Sequence, residues 1–131
     1  MASIGRFYVF IFIITLRFHF GSLAHDNSAR SSSIENISTQ VHSGDNNTPA
    51  PILLKGTQSI PKFNHTTPDV VRIYMALFRV KSKNADLVVT FNVPIQTQDG
   101  NAVDVAGQTR AEADFGTFVE SLIINNFDLF A

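Results

Sequence analysis

Four histidines, His19, His25, His42 and His65, are the side chains in this chain best suited to metal binding or proton transfer, and their placing argues against both roles. None has a second ligand at metal spacing, and they lie in an apolar leader, a polar stretch or a turn, so they read as solvated imidazoles. Asp99 and Asp104 resemble a carboxylate pair only on paper. On a loop that contains Gly100 they are better turn formers than an acid and its base. The Ser31-Ser32-Ser33 run has hydroxyls but no positioned base, and neither a glycine-rich phosphate loop nor a nucleophile elbow is present. The absence of cysteine removes disulfides, thiolate metal sites and a thiol nucleophile together. No catalytic, metal or cofactor site is expected, and no small-molecule substrate; an enzyme is not expected.

Candidates for a binding surface are the polar residues of the second half, Lys55, Gln58 and Lys62, with Lys81 and Lys83 at the tip of a hairpin. The two hairpin lysines are solvating charges or a contact for an acidic partner. The formal net charge of −1 and the lack of any Lys/Arg cluster exclude a phosphate-binding surface, so nucleic acid is not an expected partner.

The elements that must carry these residues begin with a complication. Residues 1–24 have Arg6, an apolar run from Phe7 to Leu16, and the small-residue ending Ser22-Leu23-Ala24, the pattern of a secretory signal peptide. The same Phe- and Ile-rich string also fits translated leader or intron sequence from a misassigned gene. The run is shorter than the roughly 20 residues a bilayer span needs. Three sequons follow, at Asn36, Asn46 and Asn64, and would be glycan acceptors in a secreted protein. Residues 25–50 are rich in Ser, Asn, Asp and Thr without a period of 2 or 3.6, which predicts a disordered linker.

Order is expected over residues 51–131. "ILLKGTQSIPKFN" has strand composition weakened by Gly56 and Pro61. In "DVVRIYMALFRV", Val71, Ile73, Met75 and Leu77 share one face; Val70, Tyr74, Ala76 and Phe78 share the other, interrupted by Arg72. A strand apolar on both sides belongs inside a sheet covered on each face. "KSKN" is a hairpin turn, and "DLVVTFNVPI" returns with Leu87, Val89, Phe91, Val93 and Ile95 on one side and Val88, Thr90 and Asn92 on the other. A helix is predicted to start at the capping box Thr109–Glu112 and to present Phe115, Phe118, Val119 and Leu122 to the sheet, with Gly116 as a weak point and Asn125 or Asn126 as a left-handed end. Phe127, Leu129 and Phe130 then fold back on the domain, since a free terminus is normally polar.

Three blocks in order, "LLKGTQSIPKFN", "VVRIYMALFRVKSKNADLVVTFNVP" and "DFGTFVESLIINNFDLF", resemble the C-terminal half of the Ran guanine nucleotide release factor family, over Ile52 to Phe130. Asn126 stands where that family usually has an aspartate. The resemblance implies an α+β fold, an antiparallel sheet with helices on both faces similar to the PsbP proteins. It also implies binding to the GTPase Ran, guanine nucleotide release and support of nuclear protein import, in nucleus and cytoplasm. Residues 1–48 do not resemble the family's N-terminal half, so no binding residue carries over, and a fold of about three strands and one helix would leave a sheet edge unpaired and one face bare. The expectation is therefore a Ran-binding protein or its inactive truncated form, with a small secreted glycoprotein as the alternative.

Overall fold

The computed structural model describes the backbone of residues 2–40 and 48–130 and the side chains of 13–40 and 48–128. Four antiparallel strands follow one another in sequence order: β1 (Ser31–Thr39), β2 (Ile52–Ile60), β3 (Asp69–Val80) and β4 (Ala85–Gln96). Helix α1 (Ala2–Asp26) packs on one face of this sheet and α2 (Val105–Ser121) on the other. The three layers form an α+β sandwich, as the two-faced strand requires.

The strand β3 sits inside the sheet, and its alternation divides the core in two. Val71, Ile73, Met75 and Leu77 join Ile52, Leu54 and Ile60 of β2 beneath Leu16 and Phe20 of α1. Tyr74, Ala76 and Phe78 join Val93 of β4 beneath Phe115 and Val119 of α2. The β3–β4 hairpin turns through a short 3-10 helix, Lys81–Lys83, and Asn84 closes it in the left-handed conformation (φ 51°) with its N–H donating to the Lys81 carbonyl.

Residues 1–50 contribute two elements of this sandwich, α1 and β1. The apolar leader is helical, and its Leu16, Phe20 and Leu23, spaced by four and three, pack on the sheet face that was expected to be bare. Its end is a Schellman motif: Ser28 is left-handed at φ 53°, its N–H donates to the His25 carbonyl, and that of Ala29 donates to the Ala24 carbonyl. The predicted linker contains β1, which pairs with β2 through a bulge between Ile34 and Asn36. Ile34 and Ile37 lie half-buried against the α1-side core. A polar strand of this kind is held by its ladder rather than by burial.

Gly56, a weakness in the sequence, is what admits α1. A Cβ there would lie 2.6 Å from Phe20 Cζ and 2.8 Å from the Ser33 carbonyl oxygen, so the Phe20 ring rests on bare backbone.

The helix on the other face also differs in its limits. It starts at Val105, not Thr109: Asp104 is the N-cap, its Oδ1 accepting from Gly107 N–H at 2.7 Å, while Thr109 Oγ1 donates to the Val105 carbonyl inside the helix. The Val103 N–H donates to the Pro94 carbonyl at 2.8 Å, which fixes the chain just ahead of the cap and lets the earlier residue take the role. The helix ends with Leu122 in an extended conformation, and neither Asn125 nor Asn126 has positive φ. Of the predicted stripe, Phe115 and Val119 are buried and Leu122 packs partly on them, whereas Phe118 is 47% exposed.

The C-terminal residues return to the hairpin end of the sheet. Ile124 N–H donates to Thr48 Oγ1, Phe127 is half-buried in a 3-10 helix (Phe127–Phe130), and Asp128 pairs with Lys83 at 3.5 Å. The side chains of Leu129 and Phe130 lie outside the described residues.

Candidate functional site

The α2 side of the sheet is only half covered, because α2 lies over β3 and β4. On β1 and β2 that face is polar. The register sets Ser38 beside Leu53, Asn36 beside Lys55 and Ser33 beside Thr57; across β2, Lys55 faces Tyr74 and Thr57 faces Arg72. The alternation of β2, with Ile52, Leu54, Gly56, Gln58 and Ile60 committed to α1, is what sends Lys55 and Thr57 to this open side.

Two polar clusters organise the surface. Glu35 accepts from Thr57 Oγ1 and from Arg72 Nη2 at 3.3 Å. The Thr57 hydrogen bond, helped by the Arg72 and Lys55 charges, holds the Glu35 carboxyl below the usual range, against the opposing effect of its partial burial. Lys55 Nζ pairs with Glu112 of α2 at 3.0 Å and stands 6.0 Å from the centre of the Tyr74 ring. Burial, and then the Glu112 charge, raises the Tyr74 phenol. Between these clusters and α2 lies a cleft of about 220 Å³, floored by Leu53, Tyr74 and Phe115 and backed by Gly116. At its rim Gln40 Nε2 donates to the Gly116 carbonyl at 3.0 Å. The arrangement is suited to recognition: an apolar floor, a rim of amides and hydroxyls, and a bound pair of opposite charges.

The sequence-based surface candidates do not converge. Lys55 is half-buried within this surface. Gln58 is corrected: it has no exposure, and its Nε2 donates to the Phe20 carbonyl at 3.1 Å, tying α1 to the sheet. Lys62 is exposed beyond the end of β2, whereas Lys81 and Lys83 lie at the opposite, hairpin end, near the Arg79–Asp86 pair at 2.8 Å. Arg79 also donates to Thr15 Oγ1 of α1.

The chemistry-bearing residues considered first take structural parts. Asp104 caps α2, and Asp99 Oδ1 accepts from Asn101 N–H beside Gly100 at φ 80°. His65 lies 3.6 Å from Asp69, and His42 is outside the described residues, as is the sequon at Asn46. Among the described residues no group of three or more His, Asp or Glu side chains is placed to hold a metal ion, and no helix is long and apolar enough to cross a membrane.

Sequence reasoning missed Glu35, Asn36 and Ser38 because their strand looked like linker. It noted Arg72 as an interruption of an apolar face and Gly116 as a helix defect, and those were the two available signals.

The model of a family described as "Ran-interacting Mog1 protein" matches residues 14–94. The match begins within the part of α1 that reaches the core, takes in β1, and stops at Pro94, so the closing string of the chain lies outside it. A Dictyostelium discoideum protein named "Probable ran guanine nucleotide release factor" is 34% identical over an alignment of 86 residues that covers 60% of this chain and 44% of that protein. This chain thus aligns with less than half the length of that relative.

Proposed function

Because this chain belongs to the family of Ran-interacting Mog1 proteins, we propose that it binds the small GTPase Ran, holds it in a nucleotide-poor state and so promotes guanine nucleotide release. The supporting observation is the family match over residues 14–94, which coincides with the α1, β1–β4 portion of the sandwich. The expectation of an inactive fragment rested partly on a bare sheet face. With α1 on that face, the proposal places binding activity in the chain itself. The polar half-face of the sheet, around Glu35, Arg72, Lys55 and the cleft beside α2, is the proposed contact surface.

The mechanism needs no covalent chemistry. A release factor acts by differential affinity, since a ligand shifts an equilibrium only by as much as it prefers one state over the other. Reciprocity then makes nucleotide binding weaken the complex by the same factor. Support of nuclear protein import, in nucleus and cytoplasm, is the proposed setting.

Titration calorimetry with the full chain, using nucleotide-free and GDP-loaded Ran, tests the reading. Tighter binding to the nucleotide-free form by about tenfold, equivalent to about 1.4 kcal/mol, is the expected result; no binding to either form overturns it.

A further inference from the structure

We propose that the outer rim of β1 and the cleft beside α2 form one strand-addition site, which takes an extended segment of the GTPase with a large apolar side chain at the cleft. This inference rests on the Ran-binding reading and adds where and how the partner docks.

The rim supplies the first observation. The strand order places β1 at an edge, and among the described residues no element pairs its outer side. Alternate N–H and C=O groups of an edge strand point outward, and their natural complement is the backbone of another extended chain. The opposite edge is treated differently. On β4, Pro94 cannot donate, and its carbonyl is already taken by Val103 N–H, whereas the one irregularity of β1 is the bulge between Ile34 and Asn36. β1 spans nine residues, "SSSIENIST", with neither proline nor lysine.

The cleft supplies the second. Asn36, Ser38 and Gln40, from β1 and the residue after it, line its open side, so an added strand would run along the cleft mouth. A residue paired with Asn36 or Ser38 places its side chain on their face of the sheet, and a large one leaning across β1 reaches the Leu53 edge of the apolar floor. Gly116 keeps that space open without a structural need for glycine. Its φ is not in the left-handed region, and a Cβ there would meet nothing within 4 Å. In a helix interior glycine costs about 1 kcal/mol relative to alanine. Gly107 is a contrast within the same helix, since a Cβ there would lie 2.5 Å from Val103 Cγ1. Rim and cleft together match the division of labour in strand addition, in which main-chain bonds give affinity and a side-chain pocket gives selectivity.

Hydrogen exchange of the full chain, with and without nucleotide-free Ran, gives the direct test, alongside Gly116→Leu to fill the cleft and Gly116→Ala to leave most of it open. Expected are slowed exchange within residues 31–39 on complex formation, affinity reduced about tenfold or more by Gly116→Leu, and a change under about twofold for Gly116→Ala. Binding of Ran with protection elsewhere and none in residues 31–39 overturns the site while leaving the Ran-binding reading intact, as does unchanged affinity of a folded Gly116→Leu chain. Failure of the unmodified chain to bind Ran overturns both. Should Gly116→Leu not fold, the exchange result on the unmodified chain decides alone.

Discussion

Replacement of Phe20 by alanine separates a domain built on α1 from one that begins near Pro51. The ring is 3% exposed in a cluster with Leu54, Ile73 and Leu16, and its edge lies against the backbone at Gly56. Removing a buried Phe side chain costs about 3–5 kcal/mol, as lost transfer energy plus an unfilled cavity. The upper half of that range is expected here, because Gly56 has no side chain that could relax into the hole. Small domains are stable by about 5–15 kcal/mol, so about a quarter or more of the stability is at stake. With about 4 °C of melting temperature per kcal/mol, the value at which the ranges for smaller and larger domains meet, the variant should melt about 16–20 °C lower. Urea unfolding followed by far-ultraviolet circular dichroism measures it, with the denaturant slope checked for constancy. Phe18, two residues earlier and 68% exposed, is the internal control, and Phe18→Ala should cost under about 0.5 kcal/mol. Equal and negligible losses at both positions would refute α1 as a core element. Cleavage after Ala24, the signal-peptide expectation, would likewise remove Leu16 and Phe20 from the core.

Three further outcomes follow from the same packing and charges. Gly56→Val should destabilise by about 1–3 kcal/mol, the usual cost of overpacking, through displacement of Phe20; thermal unfolding equal to the unmodified chain would contradict the ring-on-backbone contact. The depressed Glu35 carboxyl contributes stability that is present above the ordinary glutamate value of about 4.5 and lost as pH falls through its lower folded value. The stability gap between the unmodified chain and Glu35→Gln should therefore shrink in that acid range, and a gap constant from pH 7 to pH 3 would reject the Thr57–Glu35–Arg72 cluster. Phe127→Ala should cost about 1.5–2.5 kcal/mol, half the range for a fully buried ring, since Phe127 is half-buried near Pro49 and Val80; a loss under about 0.5 kcal/mol would mean that the C-terminal residues are not anchored.

The hairpin of β3 and β4 was legible because both strands alternate cleanly and "KSKN" separates them. The need for cover on both sheet faces was legible from β3 alone. What covers the second face was not, because "FYVFIFIITLRFHF" is apolar all round and its Leu16, Phe20, Leu23 stripe is masked by equally apolar neighbours such as Ile14 and Phe18, which are exposed. β1 was hidden for the opposite reason: Ser, Asn and Thr on both sides of a strand look like loop until a partner supplies the ladder. Gln58 is a plainer miss. The period of 2 through Ile52, Leu54 and Ile60 places it on the buried face, and its amide type suggested the surface. The choice between Asp104 and Thr109 as helix cap depended on the Val103–Pro94 hydrogen bond, which no local pattern encodes.

The most direct test of the central claim is the loss of a fluorescent guanine nucleotide from Ran, followed as the full 131-residue chain is added at increasing concentration. A chain that promotes release should make the loss accelerate with its concentration and level off as the complex saturates. An unchanged rate at concentrations where calorimetry shows the complex to be saturated would mean that bound Ran releases nucleotide no faster than free Ran, and would contradict the account.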